Sequence, residues 1–278
     1  MLSAAGGHAS IWGLTLTPVT ESAPQARFGT LLVLQKFLRS QSGDVDKAAA
    51  ALERTLKWRS EFGLDGAPDS ELASVDKARF EGLGWITRVG FADGGEVVCT
   101  WNIYGAAKDN LKGVFGDLDS FLRWRVDLME RGIAAILKPV IEATTPNQEA
   151  ALVPIPDFGE GEDPYQGYQI HDYMDVSFLR MDPAVKAASQ ATITLMSAHY
   201  PEWLSRKFFV SVPLIMSWVF AAVRLLVSAE TSRKFTVVAY KASLVGEMSS
   251  GGKGRIRPED VPVEYGGVGK ALRETAVA

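Results

Sequence analysis

The amino-acid sequence predicts an α/β protein with a small helical lobe in front of a larger domain built on a sheet. The first observation is that residues 1–80 contain helical periodicity and few β-forming segments. The second is that residues 81–278 alternate segments rich in β-formers with segments of helical period. Such alternation is typical of a sheet with helices packed against it. We therefore expect a domain boundary near residue 80.

The helical lobe contains one helix with clear start and stop signals. Apolar residues recur at helical spacing from Val45 to Leu56, Asp44 stands at the N-cap position, and Gly63 stands where a C-terminal glycine belongs. The upstream segment FGTLLVLQKFL predicts a shorter helix, and the downstream segment APDSELASVDKARF predicts a further helical piece. The residues that precede these helices predict a loose N-terminal arm without a signal peptide.

Strand and helix candidates alternate along the larger domain. We expect strands in the segments EVVCTWNIYG, AALVPI, YQIHDYMDV, KFFVSV and FTVVAY. We expect helices in DLDSFLRWRVDLMERGIAAIL, which Asp117 can cap, in the segment that begins at Pro183, and in LIMSWVFAAVRLLV. The last segment is apolar on nearly all sides, which fits a helix between protein and an apolar ligand and equally fits a plain buried helix.

Composition and motifs exclude several classes of function. A net charge of -4 gives no positive field for nucleic acid, and one cysteine, Cys99, permits no disulfide framework or zinc cluster. The glycine-rich segments lack nucleotide-binding spacing, and no hydrolase motif is present. The longest uncharged run, Phe208 to Val223, is shorter than the roughly 20 residues of a membrane span and contains Pro213. These features favour a non-enzymatic protein of a reducing compartment, soluble or peripheral to a membrane.

Three segments, in order from Phe37 to Gly267, carry a resemblance to a known family. They are FLRSQSGDVDKAAAALERTLKWRSEFG, HYPEWLSRKFFVSVPLIMSWVFAAVRLLVSAETSRKF and VPVEYGG. They resemble the N-terminal helical module, the tyrosine-proline-glutamate block and the closing turn of the CRAL-TRIO family of lipid-binding proteins. The resemblance implies a helical lobe plus a sheet-floored apolar pocket, closed by a gating helix at LIMSWVFAAVRLLV. It also implies binding or transfer of phosphatidylinositol without catalysis.

The same resemblance implies a headgroup site. In members that carry phosphatidylinositol, matching positions hold the inositol phosphate, and here those positions are Glu202, Thr231 and Lys234. A carboxylate and a hydroxyl suit inositol hydroxyls, and an ammonium suits the phosphate. The alternative is local: Glu202 caps a helix, and the other two share one solvated helix face. One departure from the family is that Gln41 and Ser42 replace a basic pair.

The segment QIHDY, within a predicted strand, contains a second pair of candidate ligands. Side chains alternate faces along a strand, so His171 and Tyr173 point the same way. A tyrosinate can be the axial ligand of ferric haem, and a neighbouring imidazole can hydrogen-bond the phenolate or approach the iron. The alternative is that both are ordinary polar residues of a sheet.

The haem interpretation depends on a more specific resemblance. The segments CTWNIYG, QIHDY, VSFLRMDPAVKAAS and LSRKFF are similar to the fungal branch of the CRAL-TRIO family that binds haem b, the fifth group of Sec-fourteen homologues. That resemblance implies Tyr173 as the axial ligand and His171 as its companion. Cys99 is a weaker candidate, because it lacks a following proline and lies in a predicted strand.

The sequence therefore predicts a haem-binding CRAL-TRIO protein with capacity for phosphatidylinositol transfer, linked to phosphoinositide homeostasis or oxidant response. The alternatives are an ordinary phosphatidylinositol transfer protein without haem and a peroxide-handling haem enzyme. We expect it in the cytoplasm, peripheral on the endoplasmic reticulum or other internal membranes. Contact with a membrane surface would be transient, through the gating helix and the loop around Lys253, for which a plain solvated loop is the simpler interpretation.

Overall fold

The computed structural model describes residues 10–17, 28–64, 76–143, 163–176, 182–212, 229–250 and 254–275. The strands within these ranges are β1 Ser10–Ile11, β2 Leu14–Thr15, β3 Gly84–Gly90, β4 Glu96–Ile103, β5 Gly167–Asp172, β6 Leu204–Val210 and β7 Phe235–Val238. The helices are α1 Phe28–Ser40, α2 Val45–Phe62, α3 Leu111–Phe115, α4 Leu118–Ala143, α5 Pro183–His199, α6 Ala229–Arg233, α7 Leu244–Ser249 and α8 Leu272–Thr275.

The chain forms two compact units, each assembled from separate stretches. The first unit contains residues 1–75, 133–165 and 195–203. The second contains residues 76–132, 166–194 and 204–278. Of the helices that the structure describes, none combines the length and the apolar character needed to cross a bilayer.

Helices α1 and α2 of the first unit lie where the sequence predicts them. The Asp44 side chain accepts a hydrogen bond from the Lys47 backbone N–H at 3.0 Å, which satisfies a free donor at the start of α2. Gly63 ends the helix with φ 76°, a left-handed conformation that suits glycine. The predicted helix upstream is α1. Both helices therefore follow from their sequence signals.

The described part of the N-terminal segment is a small hairpin instead of the expected loose arm. Strands β1 and β2 pair antiparallel, and both Ile11 at the end of β1 and Trp12 in the turn are almost fully buried. The Trp12 ring lies 5.9 Å from the ring of Phe37 in α1 and 4.8 Å from that of Trp203. Aromatic packing therefore fixes this segment to the rest of the first unit.

The second unit is built on a five-stranded sheet in the order β3-β4-β5-β6-β7. Strands β4 to β7 are mutually parallel, and β3 is antiparallel to β4. Parallel neighbours need long connections, which α3 and α4 provide between β4 and β5, and α5 provides between β5 and β6. This confirms the predicted α/β architecture.

The two faces of the sheet differ in chemistry. One face carries a large apolar cluster that includes Trp101, Ile170 and Phe208 and packs against the C-terminal segments around Tyr265. On the other face, parallel register aligns Asn102 of β4, His171 of β5 and Phe209 of β6 in one row. The second face is therefore the one that presents polar side chains, and the candidate site lies there.

Several details differ from the sequence predictions. Strand β3 was not expected, because GWITRVG has weak alternation and two glycines. The strand predicted from YQIHDYMDV ends at Asp172, so Tyr173 follows it instead of belonging to it. The predicted strand AALVPI and the predicted gating helix LIMSWVFAAVRLLV lie outside the described residues.

Candidate functional site

The candidate site begins with two adjacent rows of side chains across the second face of the sheet. Asn102, His171 and Phe209 form the first row, and Thr100, Gln169 and Lys207 form the second. Helix α4 packs over these rows. The Met129 sulfur of this helix accepts a hydrogen bond from Gln169 Nε2 at 3.8 Å. One turn later, Gly132 packs directly on Thr100, and a β-carbon at Gly132 would lie only 2.7 Å from the Thr100 methyl group.

His171 is buried, and both of its ring nitrogens have polar neighbours. Nδ1 lies 3.0 Å from the Tyr104 hydroxyl, and Nε2 lies 3.5 Å from the Asn102 side-chain nitrogen. Burial lowers the pKa of His171 well below its usual value, and the positive charges of Lys207 and Arg125 lower it further. The imidazole is therefore neutral at physiological pH, so one of its two ring nitrogens carries a lone pair.

Tyr173 joins His171 even though β5 ends at Asp172. Its backbone N–H donates to the Val210 carbonyl at 3.0 Å, which continues the strand pairing by one step. The Tyr173 ring lies 5.1 Å from the Tyr104 ring and 6.3 Å from the Phe209 ring. The His171 ring contacts the same two rings, at 5.6 Å and 5.9 Å. The structure thus brings the two predicted residues together.

Burial controls the ionisation of the Tyr173 phenol. It raises the pKa of Tyr173 well above the usual value near 10, and the neighbouring Tyr104 raises it further. The positive charge of Arg125 acts in the opposite direction. A phenolate at this position therefore needs a further positive charge, which a metal ion supplies.

Arg125, on the face of α4 that covers the sheet, is the main residue that the sequence analysis missed. Its side chain is 5% exposed and donates to the Asn102 side-chain oxygen. Its Nε is buried without a hydrogen-bond partner among the described residues, and no described carboxylate pairs with its charge. A buried, uncompensated guanidinium is costly, so it marks a place where an anionic or polar ligand group would be favourable.

Lys207 adds a second positive group to this face. Its ammonium lies 5.4 Å from the centre of the Phe209 ring and 5.9 Å from that of the Phe235 ring. Burial lowers the pKa of Lys207 to about 7, and the nearby Arg125 lowers it further. Two aromatic faces and two cationic groups therefore surround the pair His171 and Tyr173.

The three predicted headgroup residues do not all lie in one unit. Glu202 belongs to the first unit, whereas Thr231 and Lys234 belong to the second. Thr231 lies in α6, and its carbonyl accepts from the Lys234 backbone N–H at 3.1 Å, so those two residues share one turn. Glu202 has a left-handed backbone with φ 57°.

Comparison with known proteins supports the resemblance seen in the sequence. A family model for the CRAL/TRIO domain matches residues 162–267. The chain is 54% identical over 268 residues to the phosphatidylinositol transfer protein SFH5 of Cryptococcus neoformans var. neoformans serotype D, covering 96% of this chain and 83% of that protein. It is 45% identical over 272 residues to the protein of the same name from Phaeosphaeria nodorum, and this match covers 97% of this chain and 73% of that protein. This chain belongs to the SFH5 family.

A solved structure from the SFH5 family has the same fold. The crystal structure of Sfh5 matches this chain with a TM-score of 0.71 and covers 99% of it and 87% of the solved chain. Sequence identity to that chain is 24%, so the similarity concerns the fold alone. It agrees with the helical elements and the parallel-rich sheet described above.

Cys99, the weaker haem-ligand candidate, lies on the opposite face of the sheet in this SFH5-family chain. It is fully buried within the apolar cluster that contains Trp101 and Tyr168. Burial raises the pKa of the Cys99 thiol far above its usual range, so the thiolate is strongly disfavoured. The geometry therefore separates Cys99 from the pair His171 and Tyr173.

The missed residues of the site share one property. Asn102, Tyr104, Arg125 and Lys207 come from different elements, and strand register and helix packing bring them together. Alternation alone predicts that Asn102 and Tyr104 share a face. Which residues of β5 lie beside them depends on the register of strand pairing. Within the described ranges, no group of three or more His, Cys, Asp or Glu side chains is arranged to hold a metal ion.

Proposed function

We propose that this chain is a non-enzymatic carrier that binds phosphatidylinositol and transfers it between membranes. The observation that carries this proposal is the identity of 54% to a protein named as a phosphatidylinositol transfer protein, over 96% of this chain. The second relative, at 45% identity, has the same name. An apolar pocket gains about 0.8 kcal/mol for each lipid methylene that it buries, so such a carrier needs no catalytic step.

In this proposal, Glu202, Thr231 and Lys234 bind the inositol headgroup. The Glu202 carboxylate accepts from inositol hydroxyls, the Thr231 hydroxyl donates or accepts, and the Lys234 ammonium pairs with the phosphate. Thr231 and Lys234 are half-buried and share one turn, which suits joint contact with one headgroup. Their positions in the sequence blocks that resemble the family support this assignment.

A vesicle transfer assay tests the headgroup site. The parent and the variants Thr231→Ala and Lys234→Ala are compared for transfer of phosphatidylinositol and phosphatidylcholine. Loss of a charged hydrogen bond should lower phosphatidylinositol transfer by Lys234→Ala about tenfold, with phosphatidylcholine transfer maintained. Lys138→Ala, which changes an exposed lysine on α4, is the matched control. No phosphatidylinositol transfer by the parent would refute the function, and unchanged selectivity in both variants would refute the site.

We also propose that membrane contact is peripheral and transient, on the cytoplasmic side of the endoplasmic reticulum or another internal membrane. The lipid-transfer names of the relatives support contact with a membrane surface. Residue Lys253, which was expected to assist that contact, lies outside the described residues. Sedimentation with vesicles, together with fractionation of cells, tests this proposal.

A second candidate function is haem b binding, which we propose from the polar face of the sheet. Tyr173 and His171 are packed against the same two rings, Tyr104 and Phe209, and a buried Arg125 Nε points at no described partner. The residues fit the group: a phenol and a neutral imidazole can meet the iron, and flat aromatic side chains suit the porphyrin. Arg125 would also favour the phenolate form of Tyr173.

Tyr173 would hold the iron in this second function, with His171 as its companion. Haem would supply a ferric centre for oxidant response or for a signal in phosphoinositide homeostasis. The chain's own residues would orient the ligand: Tyr104 lies within hydrogen-bond distance of His171 Nδ1, and the rings of Phe209 and Phe235 pack together beside the pair. We also propose that lipid and haem compete for one apolar binding site, a hypothesis that stoichiometric binding of both at once would exclude.

The visible absorption spectrum of the purified protein tests haem binding directly. A Soret band with high-spin ferric features is expected in the parent, and Tyr173→Phe should remove or strongly shift it. Tyr240→Phe, which changes a tyrosine that is 77% exposed, is the matched control. A colourless parent after haem supplementation would refute haem binding and leave the lipid-transfer proposal intact. Peroxide turnover by the loaded protein would instead indicate an enzyme.

A further inference from the structure

A buried lysine of the first unit, Lys36 in α1, makes contacts that neither proposed function uses. Its side chain is 1% exposed. The Lys36 ammonium donates to Asp163 Oδ2 at 2.9 Å, to the Tyr165 carbonyl at 2.9 Å and to the Glu202 carbonyl at 2.8 Å. It also lies 4.0 Å from the centre of the Trp203 ring. All three hydrogen atoms of the ammonium therefore have acceptors, and they converge on one point beside Glu202.

Glu202, which receives one of these bonds, has an unusual backbone conformation. Its φ of 57° lies in the left-handed region, which residues with a β-carbon rarely adopt. Such a conformation persists only where the surrounding structure holds it. The bond from Lys36 to the Glu202 carbonyl is one such constraint, and contact of the same ammonium with the next residue, Trp203, is another.

Lys36 is itself held rigidly. Asp163 accepts from the ammonium through one carboxylate oxygen and from the Tyr165 backbone N–H through the other, at 2.8 Å. Burial lowers the pKa of Lys36 to about 8, and the negative charges of Asp163 and, to a smaller extent, Glu202 oppose this shift, so the Glu202 carboxylate lies within electrostatic range of the ammonium. The ammonium thus acts on Glu202 twice, through its carbonyl and through its side-chain charge.

We propose that Lys36 is a positioning residue that fixes the Glu202 carboxylate for recognition of the inositol headgroup. This inference rests on the proposed phosphatidylinositol function and deepens it, because it names a residue from α1 that sets specificity without touching lipid. A left-handed residue directs its side chain differently from an extended or helical one. Loss of the Lys36 bond therefore allows Glu202 to relax and turns its carboxylate away.

The test measures selectivity as well as stability. Parent, Lys36→Met, Glu202→Gln and the exposed control Lys57→Met are incubated with vesicles that contain equal amounts of phosphatidylinositol and phosphatidylcholine. The protein is recovered, and the ratio of the two bound lipids and the melting temperature are measured. We expect Glu202→Gln and Lys36→Met each to lower the ratio about tenfold, the effect of one charged hydrogen bond, with phosphatidylcholine uptake retained. Lys57→Met should match the parent.

The two proposals fail in different ways. If Glu202→Gln keeps the parent's ratio, the headgroup assignment of Glu202 fails, and the inference about Lys36 fails with it. If Glu202→Gln lowers the ratio but Lys36→Met does not, only the positioning role is refuted. A lower melting temperature with equal loss of both lipids in Lys36→Met would mean a structural role alone.

A second variant keeps the inference testable if Lys36→Met does not fold. Lys36→Arg retains the positive charge, but a planar guanidinium cannot reproduce three contacts that converge on a single nitrogen. We expect Lys36→Arg to fold and to lower the ratio of phosphatidylinositol to phosphatidylcholine. A parent-like ratio in folded Lys36→Arg would overturn the proposal.

Discussion

The Tyr265 hydroxyl donates to Asp172 Oδ2 at 2.8 Å, and this bond joins the closing turn of the chain to the last residue of β5. Asp172 is buried, and its other oxygen accepts from the Met174 backbone N–H at 2.9 Å. Asp172 lies between His171 and Tyr173, on the opposite face of the sheet from the candidate site. The closing turn therefore fixes the direction in which the chain leaves β5 towards Tyr173.

Tyr265→Phe should lower the free energy of unfolding by about 1.5–3 kcal/mol, because it leaves a buried carboxylate oxygen without its donor. Urea unfolding measures the change. Tyr240→Phe, at an exposed position, should change it by less than about 0.5 kcal/mol. Equal stability of Tyr265→Phe and the parent would show that the bond adds nothing to the fold.

The glycine after Tyr265 gives a second prediction. Gly266 has φ 84°, and a β-carbon there would sit 1.9 Å from the Ala242 carbonyl oxygen. Gly266→Ala should therefore destabilise the protein by more than about 2 kcal/mol, measured by urea unfolding. Gly246→Ala is the contrasting control, because that helical position in α7 has open space, and it should stabilise by about 0.5–1 kcal/mol. Similar effects of both substitutions would contradict the role of backbone conformation.

Elements with strong local signals could be predicted from the sequence. Helix α2 carries an N-cap and a C-terminal glycine, and the structure places Asp44 and Gly63 in those roles. Helix α5 begins at Pro183, as a proline in the first turn indicates. Strand β4 has a run of β-formers, and it ends at Ile103, two residues before the predicted end at Gly105. Local propensity and capping chemistry suffice for such elements.

The candidate site could be predicted only in part, for a physical reason. The pair His171 and Tyr173 follows from alternation within one segment, although Tyr173 lies just beyond the strand. Arg125 gives no local signal, because a charged residue in an amphipathic helix is normally exposed. Its burial depends on how α4 packs over β4 and on the bond to Asn102. Tertiary contacts of that kind have no pattern in the sequence.

Arg125→Met should separate stability from haem binding. Removing an uncompensated buried charge is favourable, but it leaves the buried Asn102 side-chain oxygen without its donor, so the free energy of unfolding should change by less than about 2 kcal/mol. The same change should weaken haem binding about tenfold or more, because it removes the positive charge that favours the Tyr173 phenolate. Urea unfolding of the haem-free protein and titration with haemin measure the two effects.

Arg131→Met, at a half-exposed position of the same helix, is the control for Arg125→Met and should retain both properties. A loss of several kcal/mol in Arg125→Met would mean that Arg125 is structural. Unchanged haemin affinity in a stable Arg125→Met variant would exclude Arg125 from the haem site.

The buried ammonium of Lys36 predicts a distinctive pH dependence of stability. Burial lowers the pKa of Lys36 from 10.5 to about 8 in the folded protein, despite the opposing effect of Asp163. Between these two pH values the unfolded chain binds more protons at this residue than the folded protein does. The contribution of Lys36 to the free energy of unfolding therefore rises as pH increases from about 8 to about 10.5.

Comparison with Lys36→Met isolates this contribution, because other titrating groups are common to both proteins. Lys36→Met should be less stable at about pH 7 by about 3–5 kcal/mol, because it leaves the Asp163 carboxylate buried without its partner. The deficit should then grow between about pH 8 and about pH 9.5, since only the parent gains from loss of the Lys36 proton. Urea unfolding at the three pH values measures it. A deficit that stays constant over this range would show that Lys36 keeps its proton in the folded protein, so that its ion pair with Asp163 offsets its burial.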